Sequence, residues 1–200
     1  MIALGGRRVG PGEPLYRIAD AGTAHGGDLQ LGYKLVETAG ASGAHAIVLE
    51  RGELSTRDFK CVLGHAGHIG LAPVGVPADE EDLALLVSMD VPGLRFADAD
   101  AVSPTLIECA ARTERPMILS LRNATTRMAM GVVEACRSAG CGALALLASD
   151  PLMMEAWRVA LPACTVGLRV PPGESPVVAG AEVTETRHRL PSALSRRNRS

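Results

Sequence analysis

The chain has 200 residues, of which 47% are hydrophobic, and this is enough for one well-formed core. Its formal net charge is −2, and its aromatic residues are one Trp, two Tyr and two Phe. This composition excludes the basic surface and the stacking platforms that nucleic-acid-binding proteins use. Because no apolar run reaches the length of a bilayer and no signal peptide is recognisable at the start, we expect neither a membrane partner nor export.

Cysteine usage favours a reducing compartment. The five cysteines are scattered, without any C-x-x-C pair, at Cys61, Cys109, Cys136, Cys141 and Cys164. An odd number argues against a disulfide framework, so we expect a cytoplasmic protein whose cysteines are small core residues. The spacing provides no metal cluster, and we predict neither a metal nor another cofactor. Abundant Ala, Gly and Arg are typical of a GC-rich bacterial genome.

The first predicted unit is a strand, a turn and a helix. Alternating apolar residues predict a buried strand over 16–20, which ends with the carboxylate of Asp20. A glycine-rich turn containing His25 follows, and Asp28 is a suitable N-cap for a helix over 29–39. Asp20 and His25 therefore stand where α/β proteins place their chemistry.

The same alternation continues along the chain. Residues 1–14, with their Gly and Pro cluster, predict a short hairpin or a lead-in strand. Further strands are predicted at 43–50, 69–74, 93–97, 116–120, 143–147, 164–168 and 181–185. Further helices are predicted at 79–89, 104–112, 125–139, 151–159 and 175–179.

About eight strand–helix alternations predict an α/β protein with a parallel sheet. The fold that we expect is a compact, closed (β/α)8 barrel with short loops, formed as one domain by residues 1–190 and followed by a disordered tail at 191–200. An open doubly wound sheet is the alternative, although the glycine-rich phosphate-binding motifs that often accompany it are absent. Barrel geometry would gather these strand ends around one mouth: Asp20, Glu50, Val74, Asp98, Ser120, Ala148 and Arg169.

Several segments resemble the N-acetylneuraminate (sialic acid) synthase family, whose catalytic domain is a (β/α)8 barrel. IADAGTAHGGDL is similar to the family's I-A-E-I-G-x-N-H-x-G-D, GAHAIVLE to G-A-D-A-V-K-F-Q, and VPGLRFADADA to V-P-A-F-K-I-A-S-G-D. ERPMILSLRNAT is similar to G-K-P-V-I-L-S-T-G-M-A-T, and TVGLRVPPG to V-G-x-S-D-H-T-x-G. The resemblance runs in order along nearly the whole chain and implies the barrel fold.

The departures from the family fall on its chemistry. The resemblance implies condensation of phosphoenolpyruvate with an N-acylated sugar, on a divalent metal held by two histidines. The first of these positions is Pro171 here, and the second is Arg187 or, one residue later, His188. The family's two lysines become Val48 and Arg95. The loops after strands two and six, which help to enclose substrate in the family, are short here. The resemblance does not include the family's C-terminal antifreeze-like domain, which forms its usual dimer contact.

Polar residues at the predicted mouth remain candidates for chemistry. We predict acid–base or aldol-type roles for Asp20, His25 and Glu50. We predict ligand binding by Arg95, Asp98, Ser120, Arg122, Asn123 and Arg169, because arginine forks bind phosphate or carboxylate groups. Asp20 and Glu50 could instead form a structural network with the arginines.

The other histidines have less prominent interpretations. His45 lies in a predicted strand and is expected to be a satisfied core or helix-facing group. His65 and His68 flank Gly67 at the bottom face and would form a metal pair only in the less favoured interpretation.

Two hypotheses for the function follow. In the first, this is a repurposed transferase or aldolase-type enzyme of carbohydrate or natural-product biosynthesis, which binds a small anionic, sugar-like or phosphorylated substrate and has lost the family's condensation. In the second, it is a non-catalytic pseudoenzyme that binds a metabolite or is a partner subunit of a true synthase. Under either hypothesis the assemblies to consider are a homo-oligomer and a complex with a partner synthase. The state of the mouth separates the two hypotheses, because an enzyme should keep a closed, ordered pocket there, whereas a scaffold can fill it with side chains.

Overall fold

The computed structural model describes residues 1–97, 103–122 and 124–170, together with the backbone of Val183–Arg187. The strands are β1 (Ile2–Leu4), β2 (Arg7–Val9), β3 (Tyr16–Gly22), β4 (Ala46–Leu49), β5 (Ala72–Gly75), β6 (Gly93–Phe96), β7 (Met117–Ser120), β8 (Leu144–Ala148), β9 (Thr165–Val170) and β10 (Val183–Arg187). The helices are α1 (Leu29–Ala41), α2 (Thr56–His68), α3 (Glu80–Ser88), α4 (Pro104–Ala111), α5 (Thr126–Ser138) and α6 (Pro151–Ala160).

The main sheet is parallel and follows chain order. β3 to β9 pair consecutively, and β10 pairs with β9 on one side and with β3 on the other. The predicted α/β class with a curled, barrel-like parallel sheet is therefore confirmed. A sheet whose strands follow chain order lacks the reversal of strand order that defines a doubly wound sheet. The alternative of an open doubly wound sheet is therefore wrong. The predicted helix at 175–179 and the tail at 191–200 lie outside the described residues.

One helix was missing from the sequence-based prediction. α2 begins after Ser55, whose hydroxyl accepts the Asp58 N–H, and it buries Phe59, Val62, Leu63 and Ala66 on one face. The spacing of these apolar residues is helical, but Gly64 and Gly67 weaken the helical signal because glycine is a poor helix former. The following strand consequently begins at Ala72 rather than at residue 69.

The two faces of the main sheet pack against different partners. Because side chains alternate along a strand, every second residue faces the barrel interior. The interior cluster includes Tyr16 and Ile18 of β3, Val48 of β4 and Ile118 of β7, while their neighbours in sequence pack outwards against the helices. This alternation determines which polar residues enter the mouth.

The N-terminal hairpin fills the bottom of the barrel. β1 and β2 pair antiparallel, as the hairpin prediction required, and Ile2, Leu4 and Val9 join the interior cluster. The Tyr16 hydroxyl donates to the Leu4 carbonyl over 3.3 Å. A Cβ at Gly93 would lie 2.6 Å from Leu4 Cδ1, so only glycine permits this approach. Ligands can therefore reach the described interior more readily from the opposite end.

The cysteines are all free, and they differ in burial. Cys136, Cys141 and Cys164 are buried as predicted, whereas Cys109 is half-buried and Cys61 is exposed, which corrects the prediction that all five are core residues. Burial, with smaller contributions from Cys141 and Cys164, raises the pKa of Cys136 to about 11, so its thiol stays protonated at neutral pH.

None of the helices in the described part of the chain combines the length and apolarity needed to cross a bilayer.

Candidate functional site

Four polar residues lie at the carboxyl ends of the inner strand faces. Asp20 follows Ile18 by two positions in β3, and Ser120 follows Ile118 by two in β7, so both share the interior face. Arg95 in β6 and Arg169 in β9 lie between residues that pack outwards, which also places them inside. The structure thus brings together four of the residues predicted for the mouth.

These residues form a buried charged cluster. Nη2 of Arg95 and Nη2 of Arg169 each lie 3.7 Å from Oδ2 of Asp20, and the Arg95 Nη2 donates to the Ser120 hydroxyl over 3.5 Å. The Asp20 and Arg95 side chains are 5% and 2% exposed, whereas 27% of the Arg169 side chain is exposed. Arg169 is therefore the arginine of this cluster that an incoming ligand can reach.

A bulge at the end of β3 brings a second carboxylate close. The pairing of β3 with β4 shifts register between Asp20 and Gly22, and Gly22 adopts φ +49°. A Cβ at Gly22 would lie 3.4 Å from Oε1 of Glu50 and 3.7 Å from Oδ1 of Asp20. The bulged glycine thus leaves room for both carboxylates at the mouth.

His25 joins the two loops beside this pair. Its Nδ1 accepts the Gly27 N–H over 3.1 Å, so the neutral ring carries its proton on Nε2, which donates to the Glu50 carbonyl over 2.9 Å. The residue is fully buried, and both of its ring nitrogens bond to the backbone. His25 thus has a positioning geometry, although its sequence context, a glycine-rich turn, suggested direct participation in catalysis.

The other residues predicted to bind a ligand are Arg122, Asp98 and Asn123. Arg122 is exposed on the loop after β7. Asp98 and Asn123 lie outside the described residues, as do Pro171 and His188 at the metal-ligand positions that the resemblance implies. Val48, at the position of a family lysine, is fully buried in the interior and pairs with Asp20 across the sheet.

The described part of the mouth fits a divalent cation poorly. Two guanidinium groups already lie 3.7 Å from the Asp20 carboxylate, and their charges would repel a second cation there. Among the described residues, no three His, Cys, Asp or Glu side chains converge as metal ligands.

Three other histidines lie towards the bottom of the barrel, away from the mouth. His65 and His68 lie in the last turn of α2, and the His65 Nε2 is 3.6 Å from Oε1 of Glu37. The ring of His65 packs edge-on against Tyr33 at 4.9 Å between centroids. The Nδ1 of His45, which was predicted to be a satisfied group, accepts the backbone N–H of Arg17 over 3.0 Å.

Gly22 is the mouth residue whose role the sequence analysis missed. The strand was predicted to end at residue 20, whereas Gly22 belongs to β3 and leaves room for the two carboxylates. An Asp-Ala-Gly run at a strand end is a weak signal, because the same run also occurs in ordinary turns.

The chain matches known proteins over much of its length. The model of the NeuB family matches residues 29–151, more than half of the chain. An uncharacterized protein of Methanocaldococcus jannaschii is 30% identical over 165 residues, which cover 73% of this chain and 49% of that protein. The chain thus spans about half the length of this relative.

Solved structures show the same fold. An N-acetylneuraminic acid synthetase of Leptospira borgpetersenii, solved in complex with citrate, matches 97% of this chain and 80% of its own with a TM-score of 0.80 and 23% identity. The spore coat polysaccharide biosynthesis protein spsE of Bacillus subtilis matches 90% of this chain and 61% of its own with a TM-score of 0.78 and 19% identity. At these identities the likeness establishes the fold alone.

Proposed function

Because this chain belongs to the NeuB family of sialic-acid-synthase-like barrels, we propose that it is a divergent barrel protein of carbohydrate or natural-product biosynthesis whose mouth binds a small anionic ligand. The ligand is sugar-like or phosphorylated, and residues 1–190 form one (β/α)8 domain around it. The observation that carries the proposal is the partial exposure of Arg169, 27% of whose side chain is accessible, beside the buried pair of Asp20 and Arg95.

Arg169 would make the first contact with the ligand. Its Nη2 lies 3.7 Å from Oδ2 of Asp20, which is an ion-pair distance. An arginine guanidinium can donate two parallel hydrogen bonds to a carboxylate or phosphate. Arg95 and Ser120 would hold Asp20 and the floor of the site in place.

The carboxylates would have separate roles. Glu50 is half-buried and reaches the space above Gly22, so we assign it the proton transfer in acid–base or aldol-type chemistry. Asp20 would fix the two arginines, and His25 would position the Glu50 backbone through its 2.9 Å bond. Asp98, Arg122 and Asn123 remain proposed ligand contacts on the neighbouring loops.

Binding at the mouth can be tested by calorimetry with two probes, phosphoenolpyruvate and citrate. Arg169→Met keeps most of the side-chain volume but removes the donors, and a charged hydrogen bond contributes about 1.5–3 kcal/mol. We expect the dissociation constant to rise at least about tenfold. Arg112→Met, which changes an exposed arginine of the α4 C-cap, is the matched control and should bind like the wild type. Equal binding by the Arg169 variant would contradict the proposal.

The family's own condensation is expected to be lost. Residues 48 and 171 carry no cationic or imidazole group, and the Asp20 carboxylate at the mouth already faces two arginines. We therefore expect no product from phosphoenolpyruvate and N-acetylmannosamine, with or without manganese, and no tight manganese binding by calorimetry. An active family member assayed in parallel is the positive control. Manganese-dependent turnover would refute this expectation.

A non-catalytic partner of a true synthase is the second candidate. The near-complete burial of Arg95 against Asp20 favours it, because a mouth filled by its own ion pairs serves stability rather than binding. Failure of both probes to bind the wild-type protein would support this candidate over the first.

A further inference from the structure

Three basic residues lie in elements at the bottom of the barrel, at the opposite end from the mouth. Arg7 begins β2, Arg17 is the second residue of β3, and His45 immediately precedes β4. We call Arg7, Arg17 and His45 the basal cluster. Arg17 and His45 are neighbours, because the backbone N–H of His45 donates to the backbone carbonyl of Arg17 over 2.8 Å.

The hydrogen bonds of His45 leave one donor for another group. Its Nδ1 accepts the Arg17 N–H, so the neutral ring carries its proton on Nε2. The ring packs against Tyr16 at 5.2 Å between centroids, which fixes its orientation. Within the described ranges, no acceptor bonds to Nε2 of His45.

Arg17 contributes a buried donor without an acceptor. Its Nε is inaccessible to solvent and has no hydrogen-bond partner among the described residues. Its Nη1 lies 3.6 Å from the position that a Cβ at Gly43 would occupy, so the guanidinium lies against the turn before His45. Buried polar groups in native proteins nearly always have a partner, so this donor points to a ligand or an ordered water.

The charges in this region act in the same direction. Burial lowers the pKa of His45, and the positive charges of Arg7 and Arg17 lower it further. The carboxylate nearest in the hairpin, Glu13, pairs with Arg8 at 3.0 Å instead. Among the described residues, neither Arg7 nor Arg17 forms an ion pair, so the positive charge at this end is not neutralised by the described carboxylates.

We propose that the basal cluster binds an oxyanion, specifically a phosphate group, through the Arg17 guanidinium, the His45 Nε2–H and the Arg7 charge. Arginine forks together with an imidazole donor suit the several acceptor oxygens of a phosphate. Arg17 and His45 lie at the amino ends of β3 and β4, whereas the mouth lies at the carboxyl ends, so the site is separate from the mouth and does not depend on the function proposed for it.

Calorimetry with inorganic phosphate on the full chain, in a chloride buffer of matched ionic strength, tests the proposal. We expect Arg17→Met to weaken phosphate binding at least about tenfold, and Arg7→Met to weaken it by a smaller factor, because its side chain is exposed. Arg8→Met changes the neighbouring arginine, which already pairs with Glu13, and should bind like the wild type. In NMR spectra, phosphate should shift the imidazole resonances of His45.

Two further readouts separate a ligand site from a structural role. Without phosphate, Arg17→Met should melt at the same temperature as the wild type or higher, because it removes an unsatisfied buried donor. Arg169→Met should keep the phosphate affinity, whereas loss of binding there would place the anion at the mouth and overturn the proposal. Absence of phosphate binding by the wild type, or a lower melting temperature of Arg17→Met in chloride alone, would also overturn it.

Discussion

Arg95→Ala is expected to destabilise the protein by about 3 kcal/mol, the low end of the range for breaking a buried ion pair. The Arg95 side chain is 2% exposed and lies 3.7 Å from Asp20, so the substitution leaves a buried carboxylate with less compensation and an unfilled volume. The low end applies because Asp20 keeps Arg169 at 3.7 Å. Thermal unfolding should show a fall in melting temperature of about 6–12 °C.

Two further variants isolate the buried charge. Arg112→Ala removes an exposed arginine whose partner Glu108 lies 3.8 Å away, and it should change the free energy of unfolding by about 0.5 kcal/mol or less. Arg95→Met retains most of the volume, so its loss of stability measures the ion pair without the cavity. If Arg95→Ala has the same melting temperature as the wild type, Arg95 is not part of a stabilising network and remains available to a ligand.

His25→Ala is expected to lower the free energy of unfolding by at least about 2 kcal/mol. The substitution removes a fully buried imidazole and deprives the Gly27 N–H and the Glu50 carbonyl, which belong to half-buried residues, of their partner; each unsatisfied buried group costs about 1–3 kcal/mol. Urea unfolding measures this change. NMR of the wild-type imidazole should show the neutral form protonated at Nε2.

His25→Asn tests the same assignment more finely. The asparagine oxygen can accept the Gly27 N–H in a local two-residue turn, but the side chain is too short to reach Glu50, so the loss should be intermediate. His68→Ala, which removes an exposed histidine, is the control and should stay within about 0.5 kcal/mol of the wild type. A His25→Ala protein with wild-type stability would exclude the positioning role.

The sequence by itself determined the order of the elements and most of their starts. The Asp28 side chain accepts the N–H groups of Gln30 and Leu31, as its interpretation as an N-cap required. Asp79 and Thr125, where helices were predicted to begin, are likewise N-caps. These signals can be recognised in the sequence because caps and alternating apolar residues act within a few positions of each other. The same locality explains the missed α2, where two glycines weakened the periodic signal.

The tertiary structure alone decided what the mouth residues do. The sequence placed Asp20, Arg95, Ser120 and Arg169 at strand ends, but not the burial of Arg95 or the accessibility of Arg169. His25 bonds to Glu50, and Arg95 to Ser120, across 25 residues in each case. Such contacts depend on how neighbouring strands align and on the bulge at Gly22, because side-chain direction reverses with every residue of register. Neither property is encoded in a short stretch of sequence.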